Sequence, residues 1–407
     1  MREQPGPAAR SLALVLAAAV FSAACGATAT GPAPSVVGPK SSTQAEAEAS
    51  APLAGGGTLE VVVPVFDPGL PEDESSEVDK GVFPELRKAE AVRFAQKLRL
   101  ELESTRAFET VRVVPDAESA ADLYLRGEIL HSDGATLKIR LTAEDASNRR
   151  WLSETFSRKV GPRFFESPRN AGQDPYDPLF AEAAEAVADK LRKLDPERLA
   201  EIERIGEIRF ARSLSEEAFA DYGGWRNRQF VLTGFPDEND PMLKRARAAR
   251  VRDRMFVDDW QTWYEGFSGE MDESYRQWQE QSLTEVLAHR QARNEAIAKA
   301  VVGAVLVAGA AAAASQGTDL GTAGAVVGGV GAIAAAAQAL EARRQAKFHR
   351  EALHEIAQSI DAEMAPNVMR LEEREVELTG SAAEQFRQWR ALLREIYAEE
   401  AVPDVDL

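Results

Sequence analysis

Residues 122–130, DLYLRGEIL, and 135–143, ATLKIRLTA, alternate apolar and polar side chains on either side of His131-Ser132-Asp133-Gly134. Alternation of this kind marks a half-buried strand, and a polar, glycine-containing quartet between two such runs marks a tight turn. The pair predicts an antiparallel hairpin with Leu123, Leu125 and Ile129 facing one side and Leu137, Ile139 and Leu141 opposite them. The neighbouring segments supply the rest of a small sheet. A turn at 145–149 leads into WLSETFSRKV, a third meander strand, and TVRVV at 110–114 is a short strand stopped by Pro115. TLEVVVPVF, from Thr58, is β-branched and apolar enough for a central strand, although Pro64 points to an edge or a bulge.

Two helices fit between and after these strands. Residues 84–106 carry a proline in the first turn and an apolar stripe at Leu86, Phe94, Leu98 and Leu102. DPYDPLFAEAAEAVADKLRKL places Phe180, Ala184, Val187 and Leu191 on one face. The order strand, helix, strand, three-strand meander, helix implies a small α+β sandwich over residues 58–195. The segments VVVPVF, Leu86–Leu102, VRVVP and ADLYLRGEIL resemble the small envelope domains of CsgG-like curli-export lipoproteins, of lipoprotein activators of peptidoglycan synthases, and of the TolB amino-terminal region. That resemblance implies a domain with no catalytic residues.

The amino terminus points to the same compartment. Cys25 is the only cysteine of the chain. Arg2 and Arg10 form a positive region, residues 11–21 an apolar one too short to span a bilayer, and Ser22-Ala23-Ala24 a small-residue cleavage site. The arrangement resembles the lipobox of bacterial lipoproteins, departing from it where Ser22 stands in place of the commoner leucine. It implies cleavage between Ala24 and Cys25 and a diacylglycerol on the thiol, with acyl chains such as palmitate. Gly26, in place of an aspartate, implies the outer membrane, with the folded part facing the periplasm. The competing expectation is an ordinary secretory signal that contains a cysteine. A lone cysteine excludes disulfides and cysteine-based metal sites.

The formal charge is −18, with 66 acidic against 48 Lys and Arg residues. Such a surface repels phosphate backbones, so nucleic acid is not an expected partner. It also repels anionic lipid, so a basic surface patch is not the expected anchor. Residues 26–57 are rich in Ala, Gly, Pro, Ser and Thr, and 25–57 read as a lipidated tether with a root-mean-square reach of roughly 30 Å.

Beyond residue 195 the chain reads as helical. Residues 196–268 form an aromatic-rich helical region, in which Asp240-Pro241 is an N-cap followed by a first-turn proline. The helix after it carries Lys244, Arg245, Arg247, Arg250, Arg252 and Arg254, either a docking face for an acidic partner or a face paired with surplus acid elsewhere. Tryptophan faces stack on sugars, which makes Trp225, Trp260 and Trp263 candidate glycan or partner contacts; the alternative is packing between helices.

Residues 269–365 predict a long helical hairpin whose apolar tip spans 296–340. Two uncharged runs of about bilayer-spanning length flank a break at Gly317-Thr318-Asp319. Gly317 and Gly321, then Gly324 and Gly328, are four apart, which lets helix backbones approach closely; Gly303 and Gly309 offer smaller faces on the first arm. The tip can insert in a bilayer, line an oligomeric bundle, or pack as a soluble hairpin, and its Ala/Gly composition is marginal for insertion. Residues 366–407 close the chain as a helical segment.

Catalytic signatures are absent. His349 and His354 are five apart, the wrong spacing for one helical face, and Gln358 stands where a metalloprotease motif begun by His354-Glu355 needs histidine. His131-Ser132-Asp133 is a turn, not a triad. The expectation is a non-enzyme with no cofactor beyond the lipid on Cys25. It is a lipid-anchored envelope protein that binds a protein partner or self-assembles. The alternative is a soluble periplasmic regulator of a peptidoglycan-synthesising enzyme, or a glycan-binding module, with the hairpin as part of its core.

Overall fold

The computed structural model of the chain describes residues 59–71, 83–314, 367–371 and 374–399; for 289, 292–293, 295–314 and 367–377 only the backbone is described. The described residues, all after Ser50, belong to one compact unit. Its centre is a five-stranded mixed sheet in the order β2-β1-β3-β4-β5. The strands are β1 (Glu60–Pro64), β2 (Thr110–Val114), β3 (Leu123–Ser132), β4 (Thr136–Asp145) and β5 (Arg150–Lys159). β1 runs parallel to β2 and β3, and β3-β4-β5 is the expected antiparallel meander.

β1 is a central strand, not an edge. Pro64 is tolerated because the Val65 N–H donates to Val114 O at 2.8 Å, so by alternation the Pro64 nitrogen points toward β3. There the β1–β3 register covers only Val61 and Val62. No ladder hydrogen bond is lost at the proline.

Helix α1 (Pro84–Ser104) and helix α2 (Asp177–Leu191) cover one face of the sheet. The predicted stripe is buried: Phe94, Leu98 and Leu102 are fully inaccessible, as are Leu125, Leu137, Ile139 and Leu141 beneath them. Fully burying side chains of this size contributes roughly 1.5–3 kcal/mol each. The opposite sheet face is polar, with cross-strand ion pairs Arg126–Glu144 at 2.6 Å and Arg140–Glu128.

Residues 196–268 are not wholly helical. After helix α3 (Pro196–Leu214) comes a short hairpin, β6 (Gly223–Arg226) and β7 (Gln229–Leu232). Then begins one helix of 74 residues, α4 (Pro241–Ala314). Asp240 caps it, Oδ1 accepting the N–H groups of Met242 at 2.8 Å and Leu243 at 2.9 Å. α4 runs unbroken across the region boundary between 268 and 269, with Gly266 and Gly269 in open space. The closing segment is also mixed, β8 (Asn367–Leu371) and β9 (Arg374–Leu378) preceding helix α5 (Ala382–Glu399).

Among the described residues no helix is long and apolar enough to cross a membrane. The expected hairpin tip, 296–340, is described only as backbone and only to Ala314, which includes Gly303 and Gly309. The returning arm, with Gly317, Gly321, Gly324 and Gly328, lies outside the described residues, as do Cys25, Ala24 and the tether.

Candidate functional site

Helix α1 has a second face that the apolar stripe hides. Arg87, Glu90, Arg93, Gln96 and Arg99 recur every three residues and are all buried. Each is a surface neighbour of the next, the row winds around the helix, and Glu90, Arg93, Gln96 and Arg99 reach α4. Glu90 Oε1 accepts from the Tyr275 hydroxyl at 2.7 Å and from the Ser132 hydroxyl at 2.5 Å. Arg93 bridges Asp174, at 2.9 Å, and Asp272 of α4, and also donates to Ser268 O. Gln96 accepts from Gln261 at 3.1 Å, and Arg99 reaches Glu265 at 2.7 Å. Glu90 meets α4 at Tyr275 and Arg99 meets it at Glu265, so the two helices meet antiparallel through a polar seam.

The seam continues to the sheet edge. Gln261 Oε1 accepts the N–H of Val113 at 2.8 Å, which covers a donor of the exposed edge of β2. Arg112 of β2 pairs with Asp258 at 2.6 Å. At the start of β1, Glu60 receives Arg250 at 2.6 Å and Arg254 at 2.7 Å. Arg247 pairs with Glu207 and Glu238. Arg247, Arg250 and Arg254 of the basic run are thus matched by acid from the sheet, α3 and the loop before α4, while Lys244 reaches Asn239 and Arg245 reaches Tyr397 O.

Burial sets the ionisation of these groups. It pushes Glu90 above the usual carboxylate range, more than Arg87 and the two hydroxyl donors pull it down. Burial raises Asp122 to about 7, against the attraction of Arg250. Asp122 Oδ2 accepts the Glu60 N–H at 2.9 Å, while Oδ1, with Arg250 at 3.7 Å, has no hydrogen-bond partner among the described residues. For Glu60, burial is outweighed by Arg250 and Arg254, which hold it below its ordinary value. Asp174 is held low in the same way by Arg93 and Lys97. The seam therefore contains stably charged pairs and two carboxyls, Glu90 and Asp122, held toward the neutral form.

A β-bulge assembles the seam's third member. Strict alternation from Leu125 and Ile129 would turn His131 inward and Ser132 outward. The β3–β4 register shifts between Ile129 and His131, and the two exchange places. Ser132 is buried against Glu90, whereas His131 is exposed and pairs with Asp133 at 3.1 Å. The three turn residues do not form a nucleophilic triad. Ser132 and Arg87 line a cavity of about 270 Å³ between the turn and α4, with Trp278 opposite. Among the described residues no group of His, Cys, Asp or Glu is placed to hold a metal ion. The side chain of His289 and residues His349 and His354 lie outside the description.

The tryptophans part company. Trp260 is 4% exposed, packed with Phe256, Tyr264 and Phe386, and Trp263 stacks on Phe267 at 5.6 Å. They belong to the core around α4, and Trp260 is not available to a glycan. Trp225, on β6, is 54% exposed.

The chain matches no family model, no curated protein and no solved structure. The resemblance to envelope lipoprotein domains rests on the quoted segments alone.

Proposed function

We propose that the protein is a lipid-anchored component of the bacterial cell envelope with a structural or assembly role. In this reading the α+β domain is a mount that holds a very long helix in a fixed register. The observation that carries it is the polar seam. Buried ion pairs contribute little net stability, because desolvation offsets attraction, but a wrong register leaves each charge unpaired in a dry interface. Such a seam suits a scaffold more than a reaction.

The anchor in this reading is diacylglycerol on Cys25, in the outer membrane, with the folded part in the periplasm. The 296–340 segment contacts or enters membrane, and the domain binds a protein partner or a second copy. No catalysis and no cofactor are invoked.

Metabolic labelling with an alkynyl palmitate tests the anchor. Wild type takes up label and fractionates with membrane; Cys25→Ser does neither. Unlabelled wild type, or labelled Cys25→Ser, removes the anchor. The tip is tested with Thr318→Cys and a membrane-impermeant maleimide. Labelling in intact cells places the turn outside, and labelling only after permeabilisation removes the spanning model.

A further inference from the structure

One arginine of the α1 row does not close on a partner. Arg93 spends its charge on Asp174 and Asp272, and Arg99 on Glu103 and Glu265. Arg87 is 4% exposed and lines the cavity of about 270 Å³ between the β3–β4 turn and α4. A guanidinium carries five N–H donors. Among the described residues the one hydrogen bond of Arg87 goes to Ser132 O, and at 3.4 Å that bond is long. The Glu90 carboxyl stands beside it at 3.6 Å, outside ordinary hydrogen-bond distance.

The counter-charge is missing as well. Burial holds Glu90 toward the neutral form. Asp133, in the same cavity wall, is already met by His131 at 3.1 Å and Arg290 at 3.4 Å. A buried cation is costly unless it is paired and hydrogen-bonded, so this wall attracts an anion that accepts parallel N–H bonds. The remaining lining sets the kind of anion. Phe83, Leu86, Trp278 and Val286 give the cavity apolar sides. Glu285 and Asp133 also stand in it, and their charge disfavours a doubly negative group such as phosphate. The volume lies just below the usual range of small-molecule sites, about 300–1,000 Å³.

We infer that this cavity binds a small monocarboxylate with an apolar body, the carboxylate on Arg87 and the body against Leu86, Trp278 and Val286. One carboxylate matches one guanidinium in charge and in its two-pronged geometry. A neutral ligand would leave the guanidinium without its counter-charge, and a wholly polar anion would leave the apolar sides without a partner. The inference goes beyond the anchoring role and does not depend on it, because it is read with purified protein.

The test uses the full mature chain with Cys25→Ser, titrated calorimetrically with phenylacetate and with hexanoate. Phenylacetamide and inorganic phosphate are the comparison probes. The expected result is a Kd on the order of 0.1–1 mM for at least one of the two carboxylates, with the amide and phosphate binding roughly tenfold or more weakly. Arg87→Gln is expected to weaken carboxylate binding by roughly tenfold or more. Val286→Trp fills the cavity from α4 without touching the guanidinium and is expected to abolish binding. Thermal melting of both variants checks that they are folded, and Val286→Trp keeps the test decisive if Arg87→Gln is not. The inference is overturned if neither carboxylate binds wild type, if phenylacetamide or phosphate binds as tightly as the carboxylates, or if binding persists unchanged in a folded variant of either kind.

Discussion

The Tyr275 hydroxyl and the Glu90 carboxylate meet at 2.7 Å although 185 residues separate them. Tyr275 is fully buried on α4, Glu90 is fully buried on α1, and Ser132 completes the contact from β3. This one node joins helix, sheet and long helix.

Glu90 sets a pH dependence. Burial raises its folded-state value, so the folded protein retains a proton that the unfolded chain releases. The stability it contributes is fully present below the unfolded value and is lost as pH rises through the folded one. Glu90→Gln keeps the shape without the charge, and in urea unfolding it is expected to reduce that slope. Glu90→Ala strands two buried hydroxyls and is expected to cost about 3 kcal/mol. An unchanged midpoint in Glu90→Ala would show the node to be dispensable.

Asp122 acts in the same direction with a defined window. Its folded value is about 7 against an ordinary 3.8, so its contribution falls as pH rises between those limits. Asp122→Asn is expected to be on the order of 3 kcal/mol more stable than wild type at pH 8. Near pH 4 the two should converge. Parallel stability-versus-pH curves would contradict this.

Arg93 holds two carboxylates at once, Asp174 and Asp272. Removing it leaves the buried Asp174 without its main partner. Arg93→Ala is expected to lower unfolding free energy by about 3–5 kcal/mol. Arg93→Lys should recover little, since a point charge cannot span both acids. Full recovery by lysine, read by thermal melting, would remove the bridging geometry.

Gly134 brings the β3–β4 turn into close contact with α4. Its φ is 79°, and a Cβ there would lie 2.4 Å from Ser282 Cβ on α4. Gly134→Ala should lose about 2 kcal/mol or more. Gly134→Ala combined with Ser282→Gly should recover the part due to collision and retain the part due to backbone strain.

Much of the sheet domain was legible because its signals are local. The alternation of Leu123–Ile129 and Leu137–Leu141 named the hairpin, and Leu86, Phe94, Leu98 and Leu102 named the buried face of α1. The seam was less visible. Arg87, Glu90, Arg93, Gln96 and Arg99 carry no local mark of burial, since buried charge is rare unless paired. Their three-residue recurrence was the available signal, but its partners lie 165 to 185 residues away at Gln261 and Tyr275. The hairpin at 223–232 was missed for a different reason. Its turn uses Asn227-Arg228 in place of Asn-Gly, so the usual glycine mark is absent.

The sequence by itself determined the order of the elements from β1 to α2, the antiparallel meander, the N-cap at Asp240 and the expectation of a lipidated Cys25. Each depends on residues within a few positions of one another, where backbone preference and periodicity act directly. The tertiary structure decided which polar residues are interior. It turned Ser132 inward through a bulge, ran α4 across the region boundary at 268, buried Trp260 and left Trp225 outside. Those outcomes depend on which distant surface arrives to satisfy a buried charge or cover a ring, and no local pattern carries that information.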